Sequence, residues 1–327
     1  MLTLHSCTGA VAGDLSAIPP GAVWIDLLDP TADEIARVEA ATGLHVPSLA
    51  ELGEIERSSR LRSEGGVLYL STPVVFRRQP ITPESVPETT SVGFVLSPTR
   101  LITVRFVELV AFTSFAGEAA IAGRVQPSGA GAFAGLVEAM VDRMADVLEE
   151  VGIDLDAISL RVFRATETKP KRPAREDLDL RQVVRRIGRN GDLASKIRDS
   201  LLGLGRLVPY AAATGRDWIP AEVLPRFEIQ RQDIASLSDY DAHLTNKVQL
   251  LLDATMGLIN IEQNNIIKVL TVVSVVGVPP TFIASLYGMN FHNMAEYGWT
   301  YGYQYGLAMI ALSAIGPLVW FRLRGWL

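Results

Sequence analysis

Cysteine is nearly absent from this 327-residue chain: Cys7 is its one thiol, so no intramolecular disulfide can form. Histidine is scarce as well. His5, His45, His243 and His292 lie far apart, and with one thiol they do not make up a structural zinc cage. A glycine-rich phosphate loop, Gly-x-Ser-x-Gly and His-Glu-x-x-His are all missing. An enzyme is therefore the least favoured class, because no nucleophile, base and orienting group stand at a recognisable spacing. Met1 to Ala17 have no basic region leading into an apolar core, so no cleavable signal peptide is expected and the first domain should stay where it is made. The formal charge of −6 is mild, and the Lys and Arg residues between Arg161 and Arg231 are interleaved with acids. That pattern fits a solvated helix face rather than a nucleic-acid surface, and no nucleic-acid partner or organic cofactor is expected.

Charge is missing altogether from two long stretches near the C-terminus, Val269 to Tyr287 and Tyr305 to Phe321. As helices they cover about 28 Å and about 25 Å, close to the hydrocarbon thickness of a bilayer. They account for a mean hydropathy of +0.23 and a hydrophobic share of 48%, both high for a purely soluble protein. Lys268 precedes the first stretch and Arg322 and Arg324 follow the second, while Phe291 to Gln304 between them holds no Lys or Arg. The positive-inside rule then puts both termini in the cytoplasm and the connecting loop, with Glu296, outside. Trp299, Tyr301 and Tyr303 at one end and Trp320 and Trp326 at the other suit the two membrane interfaces.

The first stretch has more than an anchor needs. Asn264, Ile267, Thr271, Ser274, Val278, Thr281 and Ser285 step by three and four alternately, which lines them up on one helix face that is mostly amide and hydroxyl. A helix lining water needs such a face, whereas in an anchor the hydroxyls would only bond back to the helix or to a neighbour. No proline interrupts Arg226 to Val278, so the helix is expected to run from near Arg226 to near Tyr287, about 90 Å. The same line traces back through Asn260, Gly257, Asp253, Leu250, Asn246, His243 and Asp239. Pro279 and Pro280 should loosen the helix inside the bilayer.

Upstream, residues 1–125 read as a small cytoplasmic α/β domain. Ala22 to Leu28 suits a buried strand, Thr31 a cap for a helix from Ala32 to Thr42, and Gly43 its end. Strands are expected at Val67 to Phe76, Thr89 to Leu96 and Arg100 to Phe106, the last two joined by a hairpin at Ser97 to Arg100, with Gln79 to Pro87 as an exposed loop. Residues 126–225 read as long antiparallel helices, Gly131 to Arg164 and Glu176 to Leu207, the second flanked by Pro209. Asp154 with Asp156, and Glu176, Asp177 and Asp179, resemble metal-binding carboxylate clusters but read better as charged helix faces. The remainder divides into the long helix with the first span (226–290), an external loop (291–304) and the second span with its tail (305–327).

Tyr287-Gly288-Met289-Asn290, closing the first of two C-terminal spans after a very long helix, resembles the signature of the CorA-type magnesium channels. Thr281 to Ala284 before it, and Phe291, Met294, Glu296, Trp299, Gly302, Tyr303, Trp326 and Leu327 after it, extend the likeness over roughly the last 80 residues. Two departures stand out: Met294-Ala295-Glu296-Tyr297 replaces the usual Met-Pro-Glu-Leu, and the single proline of the span is doubled. The resemblance implies an α+β membrane protein, a funnel-shaped homopentamer in the inner membrane whose long helix lines the pore. It also implies passive uptake of Mg2+, with Co2+ and Ni2+ accepted, through a selectivity filter at Gly288, Met289 and Asn290. Regulatory Mg2+ at Asp253 would close the channel from inside. Zinc transporters of the ZntB type share the two-span layout and are the alternative, with Met289 favouring magnesium. A membrane-anchored sensor or scaffold with a plain coiled coil is the remaining reading.

Overall fold

The computed structural model describes residues 1–6, 9–12, 18–19, 21–53, 60–77, 86–119, 128–164, 173–289 and 298–326. Among them, strands β1 (Leu2–Ser6), β2 (Gly9–Ala12), β3 (Ala22–Leu28), β4 (Leu61–Glu64), β5 (Val67–Phe76), β6 (Glu88–Leu96) and β7 (Leu101–Arg105) form one sheet ordered β2-β1-β3-β7-β6-β5-β4. Neighbours pair antiparallel except β3 and β7, which run parallel with Ile25 opposite Ile102. A parallel pair needs a crossover, and the chain between these two strands supplies one. It begins with α1 (Ala32–Thr42), where Thr31 accepts from the Glu34 amide while Glu34 reaches back to the Thr31 amide, and Gly43 ends the helix at φ 68°. It continues through the short α2 (Leu49–Leu52) and strands β4 to β6. The β6–β7 turn is fixed by Ser97, whose amide donates to the Arg100 carbonyl at 3.0 Å and whose Oγ accepts from the Arg100 amide at 3.1 Å.

Alternation along the strands gives the sheet two apolar faces. Leu2, Leu4, Ile25, Leu27, Val95, Ile102 and Val104 meet Val38, Val46 and Leu52 from the α1–α2 side. The other face carries Trp24 and Phe94 against α3 (Val110–Ala119) and α4 (Gly129–Arg164), with Phe94, Phe133 and Phe227 in successive edge contacts at 5.5 and 5.8 Å. Phe227 belongs to α6 (Leu224–Tyr287), and α5 (Pro173–Thr214) packs along β5.

Pro209 does not end α5. The helix continues to Thr214, because Leu204, Leu207, Val208 and Ala211 are all buried and their packing outweighs the hydrogen bond the ring removes. Likewise α6 carries Pro279 and Pro280 within one unbroken helix of 64 residues.

The chain divides into two compact units, Met1–Leu252 and Asp253–Leu327, and α6 contributes to both. In the first unit Phe227, Gln230, Ile234, Asp241, Leu244, Val248 and Leu251 form the buried face of α6. Arg226 pairs with Glu138 at 2.6 Å, Lys247 with Asp156 at 2.6 Å and Arg198 with Asp241 at 2.7 Å, tying α6 to α4 and α5. In the second unit α6 is followed by α7 (Gly302–Leu323). Lys268 Nζ lies 6.0 Å from the Trp326 ring, so the basic ends of the two helices are side by side. At the other end Trp299 meets Tyr305 at 5.5 Å. Beside them Ala284, Gly288, Tyr303 and Ile310 border a cavity of about 540 Å³. Each helix carries a stretch long and apolar enough to cross a membrane, and only 6% of that stretch is buried in the single chain.

Candidate functional site

The line of residues singled out by spacing lies on the exposed side of α6. Asp239, His243, Asn246, Leu250, Asp253, Gly257, Asn260 and Asn264 are all exposed, while the residues buried against the first unit point the other way. The exposed line continues through Ile267 and Val278, 59% and 64% exposed, and through Ser274, Thr281 and Ser285; Thr271 is half-buried. A helix with one face fixed to its own domain and an amide-rich face turned outward can offer that second face only to solvent, lipid or another chain.

Two of the hydroxyls bond back along the helix. Thr271 donates to the Ile267 carbonyl and Thr281 to the Gly277 carbonyl, each at 2.8 Å. This satisfies the hydroxyl protons and leaves the oxygen lone pairs as acceptors. The prolines act in the opposite sense. Without N–H groups, Pro279 and Pro280 leave the Val275 and Val276 carbonyls without their i+4 donors.

The helix closes at Tyr287, where the Gly288 amide donates to the Ala284 carbonyl at 3.0 Å and the Met289 amide to the Leu286 carbonyl at 3.3 Å. A Cβ on Gly288 would stand 3.3 Å from the Ala284 oxygen, a tight fit. Met289 is 43% exposed, and its soft thioether is a poor ligand for a hard cation. Asn290 and Glu296 lie outside the described residues.

Asp253 is exposed on the same face, and among the described residues no three His, Cys, Asp or Glu side chains group closely enough to hold a metal ion. The carboxylate pairs farther up are helix-face ion pairs, as their sequence context suggests. Asp154 accepts from Arg186 and, at 2.6 Å, from Asn190, while Asp156 takes Lys247. The side chains of Glu176, Asp177 and Asp179 lie outside the described residues.

Sequence reading missed a polar cluster inside the first unit. Asp26 accepts from Arg105 Nη2 at 2.7 Å, from Arg105 Nε at 3.1 Å and from Thr103 Oγ1 at 2.7 Å, and Trp24 Nε1 donates to Thr103 at 3.0 Å. Arg105 also lies over the Phe112 ring at 4.8 Å. His5 stacks on Trp24 at 4.0 Å, and burial holds its pKa below the usual imidazole value. Asp26 and Arg105 are 79 residues apart, so spacing gives no hint of the pair. The single available signal was a carboxylate inside the otherwise apolar run Ala22–Leu28.

The family model described as "CorA-like Mg2+ transporter protein" matches residues 20–323. The chain belongs to this family. It is 32% identical over 306 residues to "Magnesium transport protein CorA" of Pasteurella multocida, covering 94% of this chain and 92% of that one. The solved CorA magnesium transporter of Methanocaldococcus jannaschii superposes with a TM-score of 0.74 at 18% identity, over 100% of this chain and 98% of that one. The cytoplasmic domain of ZntB from Vibrio parahaemolyticus covers 79% of this chain and 97% of its own length, with a TM-score of 0.57 at 12% identity. At that identity the likeness to ZntB concerns the fold alone. As a CorA-like transporter the chain is a membrane protein, with α6 and α7 as its two candidate spanning helices.

Proposed function

We propose that this chain assembles as a homopentamer in the inner membrane and conducts Mg2+ inward along α6, with Co2+ and Ni2+ accepted. The observation that carries the reading is the exposed, largely polar line on α6 from Asp239 to Asn264, which Ser274, Thr281 and Ser285 extend at heptad spacing. Two spans per chain cannot enclose a water-filled path, so several copies must share one.

Mg2+ dehydrates reluctantly and travels with most of its waters. Those waters present hydrogens outward, and acceptor oxygens suit them. The Thr271 and Thr281 lone pairs and the Asn264 amide are of that kind. A ring of neutral Asn290 amides, with Gly288 allowing close approach and Met289 packing, would hold the hydrated ion without binding it too tightly for release. Ile267 and Val278 are the apolar constrictions in the line, and Glu296 the single charge of the external loop. Uptake needs no nucleotide, since a divalent cation gains about 4.6 kcal/mol per 100 mV of membrane potential.

Asp253 is the regulatory site in this reading. One carboxylate does not complete a cation site, so its partner ligands come from an adjacent copy, and internal Mg2+ bound there closes the pore.

The test is flux into liposomes holding the purified chain at set voltages, comparing Mg2+, Co2+ and Zn2+. Asn290→Ala should fold and assemble yet lose selective Mg2+ flux. Near-parental Mg2+ flux in that variant would sink the filter assignment, and a preference for Zn2+ in the parent would move the chain to the zinc reading.

A further inference from the structure

After Glu262 the described residues of the second unit carry three cations, Lys268, Arg322 and Arg324, and no acidic side chain to neutralise them. Their places are set by the charge-free stretches. Lys268 directly precedes Val269–Tyr287, and Arg322 directly follows Tyr305–Phe321. Since Lys268 lies beside the tail of α7, all three cations fall at the headgroup level of one leaflet.

Positive charge at that level helps to orient a membrane protein wherever the side chains point. Here the side chains are also fixed in place. The Gly325 amide donates to the Arg322 carbonyl at 3.1 Å and the Trp326 amide to the Phe321 carbonyl at 3.0 Å, with Gly325 at φ 71°. This left-handed helix cap folds the chain back, so that Trp326 stacks on Phe321 at 5.4 Å. Phe321 is 3% exposed, the one buried residue described in α7. Trp320 meets Phe321 from another side at 5.1 Å. Each tryptophan then holds a cation: Lys268 Nζ is 6.0 Å from the Trp326 ring, and the Arg324 guanidinium is 5.5 Å from the Trp320 ring. A cluster of three rings thus links an ammonium from α6 to a guanidinium from α7.

We propose that Lys268, Arg324 and Trp326 form a binding site for the phosphate of an anionic phospholipid, with Arg322 adding charge. The guanidinium offers two parallel N–H groups to phosphate oxygens, and the ammonium a compact charge. Trp320 and Trp326, 53% and 42% exposed, offer indole N–H groups to the ester oxygens. A zwitterionic headgroup brings its own ammonium and would leave these cations uncompensated. Free phosphate would gain nothing from the adjoining Val269, Leu270, Leu318 and Val319, which are exposed and can take up acyl chains. The inference rests on α6 and α7 being the membrane spans, and not on which ion is carried.

The experiment is native mass spectrometry of the full chain in detergent, titrated with phosphatidylglycerol or phosphatidylcholine. The parent should bind phosphatidylglycerol the more tightly. Lys268→Gln and Arg324→Gln should each weaken that binding by about fivefold and leave phosphatidylcholine unchanged, whereas Lys268→Arg should bind as the parent does. Gly325→Val, strained at φ 71°, should release Trp326 and weaken phosphatidylglycerol binding although no charge is lost. Equal binding of the two lipids by the parent overturns the proposal, as does parental binding in either Gln variant. Parental binding in Gly325→Val would reduce the cluster to unplaced positive charge, and loss of the lipid to inorganic phosphate at constant ionic strength would make it a site for free anions. Either result also overturns the proposal. Binding is read without flux, so a parent that binds phosphatidylglycerol yet carries no Mg2+ would refute the conduction reading and leave this one standing.

Discussion

Arg105→Met should weaken the sheet of the first unit more than any exposed substitution. The parent guanidinium makes three contacts of 2.7 to 3.2 Å with Asp26, donates to the Val107 carbonyl at 3.1 Å and covers the Phe112 ring. Methionine keeps the contact with Phe112 but removes the countercharge, leaving Asp26, 4% exposed, with Thr103 as its one remaining donor among those described. Breaking a buried pair from one side costs about 3–5 kcal/mol, a large share of the roughly 5–15 kcal/mol that holds a domain together. Removing both charges in Asp26→Leu/Arg105→Met should cost far less, because neither group is then stranded, and Thr103 Oγ1 still has the Ile25 carbonyl at 3.5 Å. The two sites are in contact, so the cycle should show a coupling of at least about 2 kcal/mol. Hydrogen–deuterium exchange of the β3 and β7 amides in the full chain reads this opening without interference from the membrane helices. Parental exchange in Arg105→Met, or exchange in the double variant as fast as in the single one, would refute the reasoning.

Replacing Ile267 or Val278 with Ser should raise Mg2+ flux at high internal Mg2+, where dewetted apolar rings would otherwise close the path, and a variant as tightly shut as the parent returns both residues to plain packing. Asp253→Asn should need more internal Mg2+ to close and should lose part of the Mg2+-dependent protection from proteolysis; unchanged closure and protection would remove it as a sensor. Two histidines of the first unit, His5 and His45, should make opposite contributions to stability against pH. His5 has its pKa lowered by burial from 6.5, so the unfolded chain takes up the proton first and stability falls as pH drops below 6.5; His5→Phe should flatten that slope in thermal melts. His45 has its pKa raised by its bonds to Glu51 and Glu39, so its contribution is full below 6.5 and disappears as pH rises through the folded value, and His45→Gln should abolish it.

Local rules made parts of this fold readable. The Thr31 capping box and Gly43 delimit α1, and the largely apolar runs give β3 and β5, because a few adjacent residues decide those bounds. Short edge strands such as β2 and β4, each of four residues, gave no signal, since pairing with a longer neighbour defines them. The end of α5 was misjudged at Pro209 because burial around it is a tertiary fact. Heptad spacing singled out a line on α6; in the first unit its members Asp239, His243, Asn246 and Leu250 lie on the face that packing leaves exposed, while along Val269–Tyr287 exposed residues lie all round the helix. The Asp26–Arg105 pair was illegible because it comes from strand order, with β7 laid beside β3 across a long crossover.

The uninterrupted course of α6 also sets a phase rule for insertions and deletions. No loop stands between Leu251, the last residue of the face of α6 buried in the first unit, and Val269, where the charge-free stretch begins, so nothing can absorb a change in length. One inserted residue would turn everything downstream by about 100° about the helix axis, carrying Thr271 and Ser274 off their line while the domain stays where it is. Seven inserted residues would come back to within about 20° and leave the line nearly intact, at the expense of moving the charge-free stretch about 10 Å along the axis. In this segment, viable length changes should come in sevens.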